Sequence, residues 1–322
     1  MNEPRQNVGA EWKRLRVGHF RSEADWKRFQ DIYREGMKEM PTPRRSEDFR
    51  TSFGIVRAYL FGDDPRTPLL LLPGRNSATP LWAGNMSSLG EGRSIWAIDL
   101  LGEPGLSVQT ARIANAADHA QWLDELIERL GVDTVHLLGI SIGGWAAMNL
   151  AVRRPNRVAS VSFLDSPLVF AALSVKMIIF SIGTILPLMP SAVQKRLLGW
   201  ISGGARADDL MEGRLVDAGM NTFRSALPVP KQLSDDELAA IDLPVLGIFA
   251  GRSIVHDSAK AADNARRLLP NAQVEVWGEA SHAISGEYST GVAERVHTFL
   301  NEVESSSRSE ECDRENRREE KS

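Results

Sequence analysis

Two hydrophobic periods alternate along most of this chain. Short, almost wholly apolar runs recur, and between them lie longer stretches whose apolar residues return every three or four positions. The runs Phe53–Phe61, Leu69–Leu72, Ser94–Asp99, Thr134–Leu138, Val158–Leu164, Pro244–Ala250 and Gln273–Trp277 predict strands. The most apolar of them do not alternate with polar residues, which points to burial on both faces. Ala114–Leu130 predicts an amphipathic helix with Trp122, Leu123, Leu126, Ile127 and Leu130 on one side. Ser22–Met40 predicts another. Ser22 can cap it, Trp26, Phe29, Ile32, Tyr33 and Met37 follow at helical spacing, and Pro41-Thr42-Pro43 ends it. Helices are also expected over Trp145–Val152, Ser258–Leu269 and Thr290–Val303. Strands that alternate with helices predict an α/β fold, a mostly parallel sheet covered on both faces.

Two segments break the alternation. Residues 166–230 carry no strand signal and predict an inserted helical unit, a cap. Within it Leu168–Pro190 is apolar and approaches the length of a membrane span. Lys176 lies near its middle, however, and Gly183 and Pro187 interrupt it; a charge there is costly in lipid. Val158–Leu164 and Pro244–Ala250 belong to one sheet, so the segment between them must leave and return on the same side. A single crossing cannot do that, and no membrane partner is expected. The other segment is the tail from 304 to 322, nearly all polar or charged, which predicts disorder. The expected division is an N-terminal helical arm (1–46), a core (47–165 and 231–303), the cap (166–230) and the tail (304–322).

The chain has 322 residues, 43% hydrophobic and 25% charged, enough for a sizeable core. A net charge of −4 gives no electrostatic footprint for nucleic acid. Cys312 is the only cysteine, so there is neither an internal disulfide nor a Cys/His zinc cluster. The N-terminal residues have no hydrophobic signal region, and a cytoplasmic location is the default expectation.

Chemistry concentrates at Gly139-Ile140-Ser141-Ile142-Gly143, a G-x-S-x-G pattern with a strand before it and a helix after it. A serine on so sharp a turn adopts strained backbone angles and presents its hydroxyl above the sheet edge. A serine hydroxyl needs a base. Of six histidines, His136 lies inside a strand, His119 and His297 lie within helices, His19 belongs to the arm and His256 precedes a helix. His282 stands in the loop after the last strand, at the carboxyl edge that also carries the serine turn. An oxyanion hole needs two N–H donors. Ile142, just after the serine, supplies one. The loop Pro73-Gly74-Arg75-Asn76-Ser77 after the strand Leu69–Leu72 supplies the other, from Arg75.

These pieces, in this order, resemble the α/β-hydrolase superfamily, and most of all its bacterial carboxylesterases with a helical cap. The resemblance rests on Thr51-Ser52-Phe53-Gly54, Leu70-Leu71-Leu72-Pro73-Gly74, Ala97-Ile98-Asp99-Leu100-Leu101-Gly102, the serine turn and Ala280-Ser281-His282-Ala283. It implies Ser141 as nucleophile, His282 as base, and Arg75 and Ile142 as oxyanion donors. It also implies an acyl-enzyme route to cleavage of an ester-like bond (carboxylester, thioester or lactone) without metal or cofactor.

Two departures stand out. Pro73-Gly74 replaces the family's usual His-Gly. The family also carries an Asp a few residues past the strand Pro244–Ala250, where this chain has Ser253. Two carboxylates are candidates for the acid: Asp165, at the end of Val158–Leu164, and Asp257, which also reads as a helix cap. Asn76, Trp145, Met177 and Phe180 are candidate substrate contacts, although Trp145 and the cap residues could equally be packing. The apolar cap points to a small-molecule substrate with a hydrophobic acyl or ring group. A C–C bond hydrolase shares the machinery, and a non-catalytic binding protein on this fold is the other alternative. An Asp in place of Ser141 would be needed for a dehalogenase or an epoxide hydrolase.

Overall fold

The computed structural model describes residues 4–177, 199 and 211–319. Its centre is a nine-stranded sheet. In chain order the strands among the described residues are β1 (His19–Phe20), β2 (Arg45–Thr51), β3 (Gly54–Phe61), β4 (Leu69–Leu72), β5 (Ile95–Ile98), β6 (Val108–Gln109), β7 (Val135–Ile140), β8 (Val158–Leu164), β9 (Phe223–Arg224), β10 (Val245–Ala250) and β11 (Gln273–Trp277). The sheet order is β11-β10-β8-β7-β4-β5-β3-β2, with β6 on β3 and β1 paired to β9 apart from it. From β11 to β5 every pairing is parallel. At the other end β3 runs antiparallel to β5 and β2 antiparallel to β3.

The described helices are α1 (Glu23–Glu39), α2 (Ala83–Leu89), α3 (Ala116–Arg129), α4 (Ile142–Arg153), α5 (Met211–Thr222), α6 (Asp235–Ala239), α7 (Ser258–Leu268), α8 (Ile284–Glu287) and α9 (Ser289–Glu319). They cover both faces, and the strand side chains divide between two cores. Leu70, Leu72, Trp96, Ile98, Leu137 and Phe163 point to one, with Trp122, Leu123, Leu126 and Ile127 of α3. Leu69, Leu71, Ile95, Ala97, Leu138 and Ile248 point to the other, with Val292, Val296 and Phe299 of α9. Ser22 caps α1 by accepting the Asp25 N–H, and Asn115 caps α3 through the Asp118 N–H.

Three differences from the sequence expectations have physical causes. β2 was not anticipated. It is an edge strand whose Arg, Glu and Asp side chains hide any alternation, as polar edge strands commonly do. The N-terminal arm is not purely helical, because His19–Phe20 pairs with Phe223–Arg224, a short strand inside the expected insertion. The charged tail continues as helix to Glu319. Glu and Arg favour helix, and extending α9 needs no new nucleation.

No helix among the described residues is long and apolar enough to cross a membrane. Most of Leu168–Pro190 lies outside the described residues.

Candidate functional site

Ser141 joins β7 to α4 at φ 55° and ψ −120°, a region that L-residues rarely occupy. Two glycines make this turn possible. A Cβ on Gly143 would lie 2.2 Å from the Leu72 carbonyl oxygen, and one on Gly139 would lie 2.3 Å from the Gly143 backbone. Either atom would push α4 away from the strand ends. The turn is further fixed by the Ser141 N–H, which donates to the Leu164 carbonyl at 3.0 Å.

The loop after β11 brings His282 across the sheet edge. The Ser141 hydroxyl donates to His282 Nε2 at 3.0 Å. The other ring nitrogen, Nδ1, donates to Asp165 Oδ2 at 2.6 Å. Asp165 follows β8 directly, at φ 44°, and is fully buried. Its N–H donates to the Ile248 carbonyl at 2.8 Å. Burial pushes the Asp165 carboxyl up. Hydrogen bonds from His256 and His282, reinforced by their charge, outweigh that and hold it well below the usual carboxylate range. An ionised Asp165 can only accept, so His282 Nδ1 carries the proton and Nε2 is free to take one from Ser141.

Asp257 is elsewhere. Its carboxylate accepts the Lys260 N–H at 3.0 Å and caps α7. Ser253 closes a turn by accepting the Val255 N–H at 3.3 Å. Four other histidines are engaged away from the serine: His19 with the Val17 carbonyl, His136 with Ser160, His297 with the Ser88 carbonyl, and His119 between Trp122 and Trp145. Burial takes His119 down to about 4.

The sixth histidine is one that sequence reasoning left as a residue before a helix. His256 Nε2 donates to Asp165 Oδ1 at 2.8 Å, and its side chain has no solvent exposure. Nothing local marked it, because its partner lies 91 residues away in the chain.

The loop after β4 meets the serine turn. A Cβ on Gly74 would lie 3.8 Å from Ser141 Cβ. Arg75 is exposed, and Asn76 has φ 56°. The Asn76 N–H is already taken, donating to Glu103 Oε2 at 2.9 Å. Glu103 is itself buried. Burial raises its carboxyl, against the opposing charge of Arg75 and the Asn76 N–H. Ile142 opens α4, so its N–H has no intrahelical carbonyl partner and is available beside the hydroxyl.

Of the expected substrate contacts, Trp145 belongs to the core. It is 3% exposed, and its Nε1 donates to the Lys231 carbonyl at 3.1 Å. Its ring packs against His119 of α3, 5.4 Å away between centroids, within the core, so it is a packing residue. Met177 is partly buried, and its N–H donates to Ser174 Oγ at 3.1 Å. Phe180 lies outside the described residues.

A family model for the alpha/beta hydrolase fold matches residues 67–195. Over 281 residues the chain is 26% identical to a protein of Bacillus subtilis (strain 168) named as the uncharacterized carboxylesterase nap, covering 85% of this chain and 92% of that one. It is 26% identical over 280 residues to carboxylesterase YbfK of the same organism, covering 85% and 93%. The solved structure of carboxylesterase CesB (YbfK) from Bacillus subtilis superposes with a TM-score of 0.78 at 25% identity, covering 86% of this chain and 98% of that one. The chain has the α/β-hydrolase fold and resembles bacterial carboxylesterases. In this chain the serine turn, the β4 loop and the β11 loop all lie at the carboxyl edge of the parallel strands, where open α/β sheets place their sites.

Proposed function

We propose that this protein is a serine hydrolase that cleaves an ester-like bond through an acyl-enzyme on Ser141. The observation that carries the reading is one continuous hydrogen-bonded chain, from the Ser141 hydroxyl to His282 at 3.0 Å and from His282 to Asp165 at 2.6 Å. The carboxylesterase names of the two Bacillus relatives support the same bond class.

The mechanism follows from the protonation states. His282 Nε2 takes the Ser141 proton as Oγ bonds to the substrate carbonyl carbon. The carbonyl oxygen becomes negative and is held by the N–H groups of Ile142 and Arg75. Asp165 stabilises the imidazolium that forms. His282 then protonates the leaving alkoxide, thiolate or ring oxygen, and the C–O or C–S bond breaks. A water molecule repeats the sequence on the acyl-enzyme, and the acid product leaves.

The test is an active-site probe. A fluorophosphonate should add once to the protein, at Ser141, and Ser141→Ala should take up none and lose turnover of acyl esters. Intact mass before and after labelling reads the result. A folded wild-type protein that gains no mass sinks the proposal and favours a non-catalytic role.

A further inference from the structure

The Asp165 carboxylate is shared by two imidazoles. Oδ2 accepts from His282, while Oδ1 accepts from His256 Nε2 at 2.8 Å and from the Ala250 N–H at 3.1 Å. We infer that His256 is a positioning residue for the hydrolytic reaction, fixing the rotation and charge of Asp165 and thereby the basicity of His282. This rests on the proposed serine-hydrolase reading.

The geometry has three parts. First, His256 is completely buried, and its Nδ1 has no hydrogen-bond partner among the described residues. An imidazole so enclosed makes one polar contact there, and that contact is Asp165. With Asp165 ionised, Nε2 must carry the proton, so His256 is a fixed donor. Second, the ring is held by packing and by its loop. Phe249 lies 6.0 Å away between ring centroids. The Ile254 and Val255 carbonyls accept from Ser174 Oγ at 2.5 Å and Ser174 N–H at 2.8 Å. Third, the same loop is tied to the loop carrying His282, through the Arg252 N–H on the Ala280 carbonyl at 2.9 Å. Donor and base are therefore carried by one connected loop pair, and the acid at the end of β8 lies between them.

The consequence has a sign. A donor on Oδ1 draws charge from the carboxylate and leaves less of it for the His282 imidazolium. Removing the donor should make His282 more basic while leaving Asp165 freer to turn away from Nδ1. The titratable groups facing His256 are Asp165 from the end of β8 and, across that carboxylate, His282. On the His282 side Ser141 faces the ring, and the nearby carboxylate Glu287 is held by the Ser281 N–H and hydroxyl.

The experiment compares His256→Phe, which removes the donor and keeps a ring, with His256→Gln, whose amide N–H can still reach Oδ1. Acyl-ester turnover is measured against pH. For the Phe variant kcat should fall roughly tenfold with KM nearly unchanged, the cost of one hydrogen bond to a charged group. The acid limb of its kcat/KM profile should move to higher pH. The Gln variant should recover most of kcat and bring the limb back. If the Phe variant keeps wild-type kcat and limb, or if both variants lose kcat equally with the limb unmoved, the inference is wrong. Should the Phe variant fail to fold, His256→Asn replaces it, because its shorter side chain cannot reach Oδ1. Equal kcat for the Asn and Gln variants then overturns the proposal. Fluorophosphonate labelling of the wild type separates the two levels. A wild type without the adduct removes the hydrolase reading itself, whereas a labelled wild type with indifferent His256 variants removes only this role.

Discussion

Replacing Asp165 by asparagine exchanges one oxygen for an NH2 group in a fully buried site, yet it should nearly abolish turnover. The amide has one carbonyl oxygen and one NH2 to place. At the Oδ1 position two donors wait, the Ala250 N–H at 3.1 Å and His256 Nε2 at 2.8 Å. His256 could exchange its proton between nitrogens and accept, but a backbone N–H cannot. The amide oxygen must therefore face Ala250, and the NH2 faces His282 Nδ1, now the donor where Asp165 Oδ2 accepted at 2.6 Å. His282 then holds its proton on Nε2 and cannot receive one from Ser141. The loss also includes the missing negative charge beside the imidazolium. Where a triad acid has been replaced this way, kcat falls by about 10⁴-fold, on the order of 5 kcal/mol of barrier. Steady-state turnover of a chromogenic acyl ester near neutral pH measures it, with the thermal midpoint as a check that the isosteric variant is folded. KM should change little, since the interaction lost is made in the transition state. A folded variant within tenfold of wild-type kcat would refute the tautomer argument.

Two further outcomes follow from the described contacts. Gly143→Ala places a methyl group 2.2 Å from the Leu72 carbonyl oxygen, so the variant should lose more than about 2 kcal/mol of stability in urea unfolding; a midpoint equal to wild type would contradict the close approach of α4 to β4. Glu212, in the first turn of α5, is raised to about 7 by burial and then by the Glu39 carboxylate. The folded carboxyl thus keeps its proton through a pH range in which the unfolded one has lost it, and stability falls as pH rises from about 4.5 to 7. Glu212→Gln should remove that fall and be more stable than wild type by up to about 3 kcal/mol at pH 8, with little difference at pH 4; unfolding midpoints of the two proteins that stay parallel with pH would refute it.

Much of this protein is written locally. The apolar strands, the helix faces of α1 and α3 and the glycines around Ser141 are short-range patterns, each imposed by backbone sterics or by burial of one stripe of side chains. His282 was legible for a similar reason, since a loop after the last parallel strand must open at the sheet edge that carries the serine turn. The acid was not. Asp165 and Asp257 both stand at an element end, and although Asp257 also reads as a helix cap, sequence leaves both open as the acid. The fold separates them, because the end of β8 lies beside the His282 loop while Asp257 turns back onto α7 and accepts from Lys260. His256 was invisible for a stronger reason. Its meaning depends on a carboxylate distant in the chain and on complete burial, neither of which leaves a periodic trace. Edge strand β2 and the pairing of β1 with β9 were missed on similar grounds, because a polar edge and a two-residue pairing are specified by their neighbours. Sequence alone determined the buried strands, the amphipathic helices and where a nucleophile could stand. Only tertiary structure decided which charge meets which ring, since burial and hydrogen-bond reach are properties of the packed edge and not of any one segment.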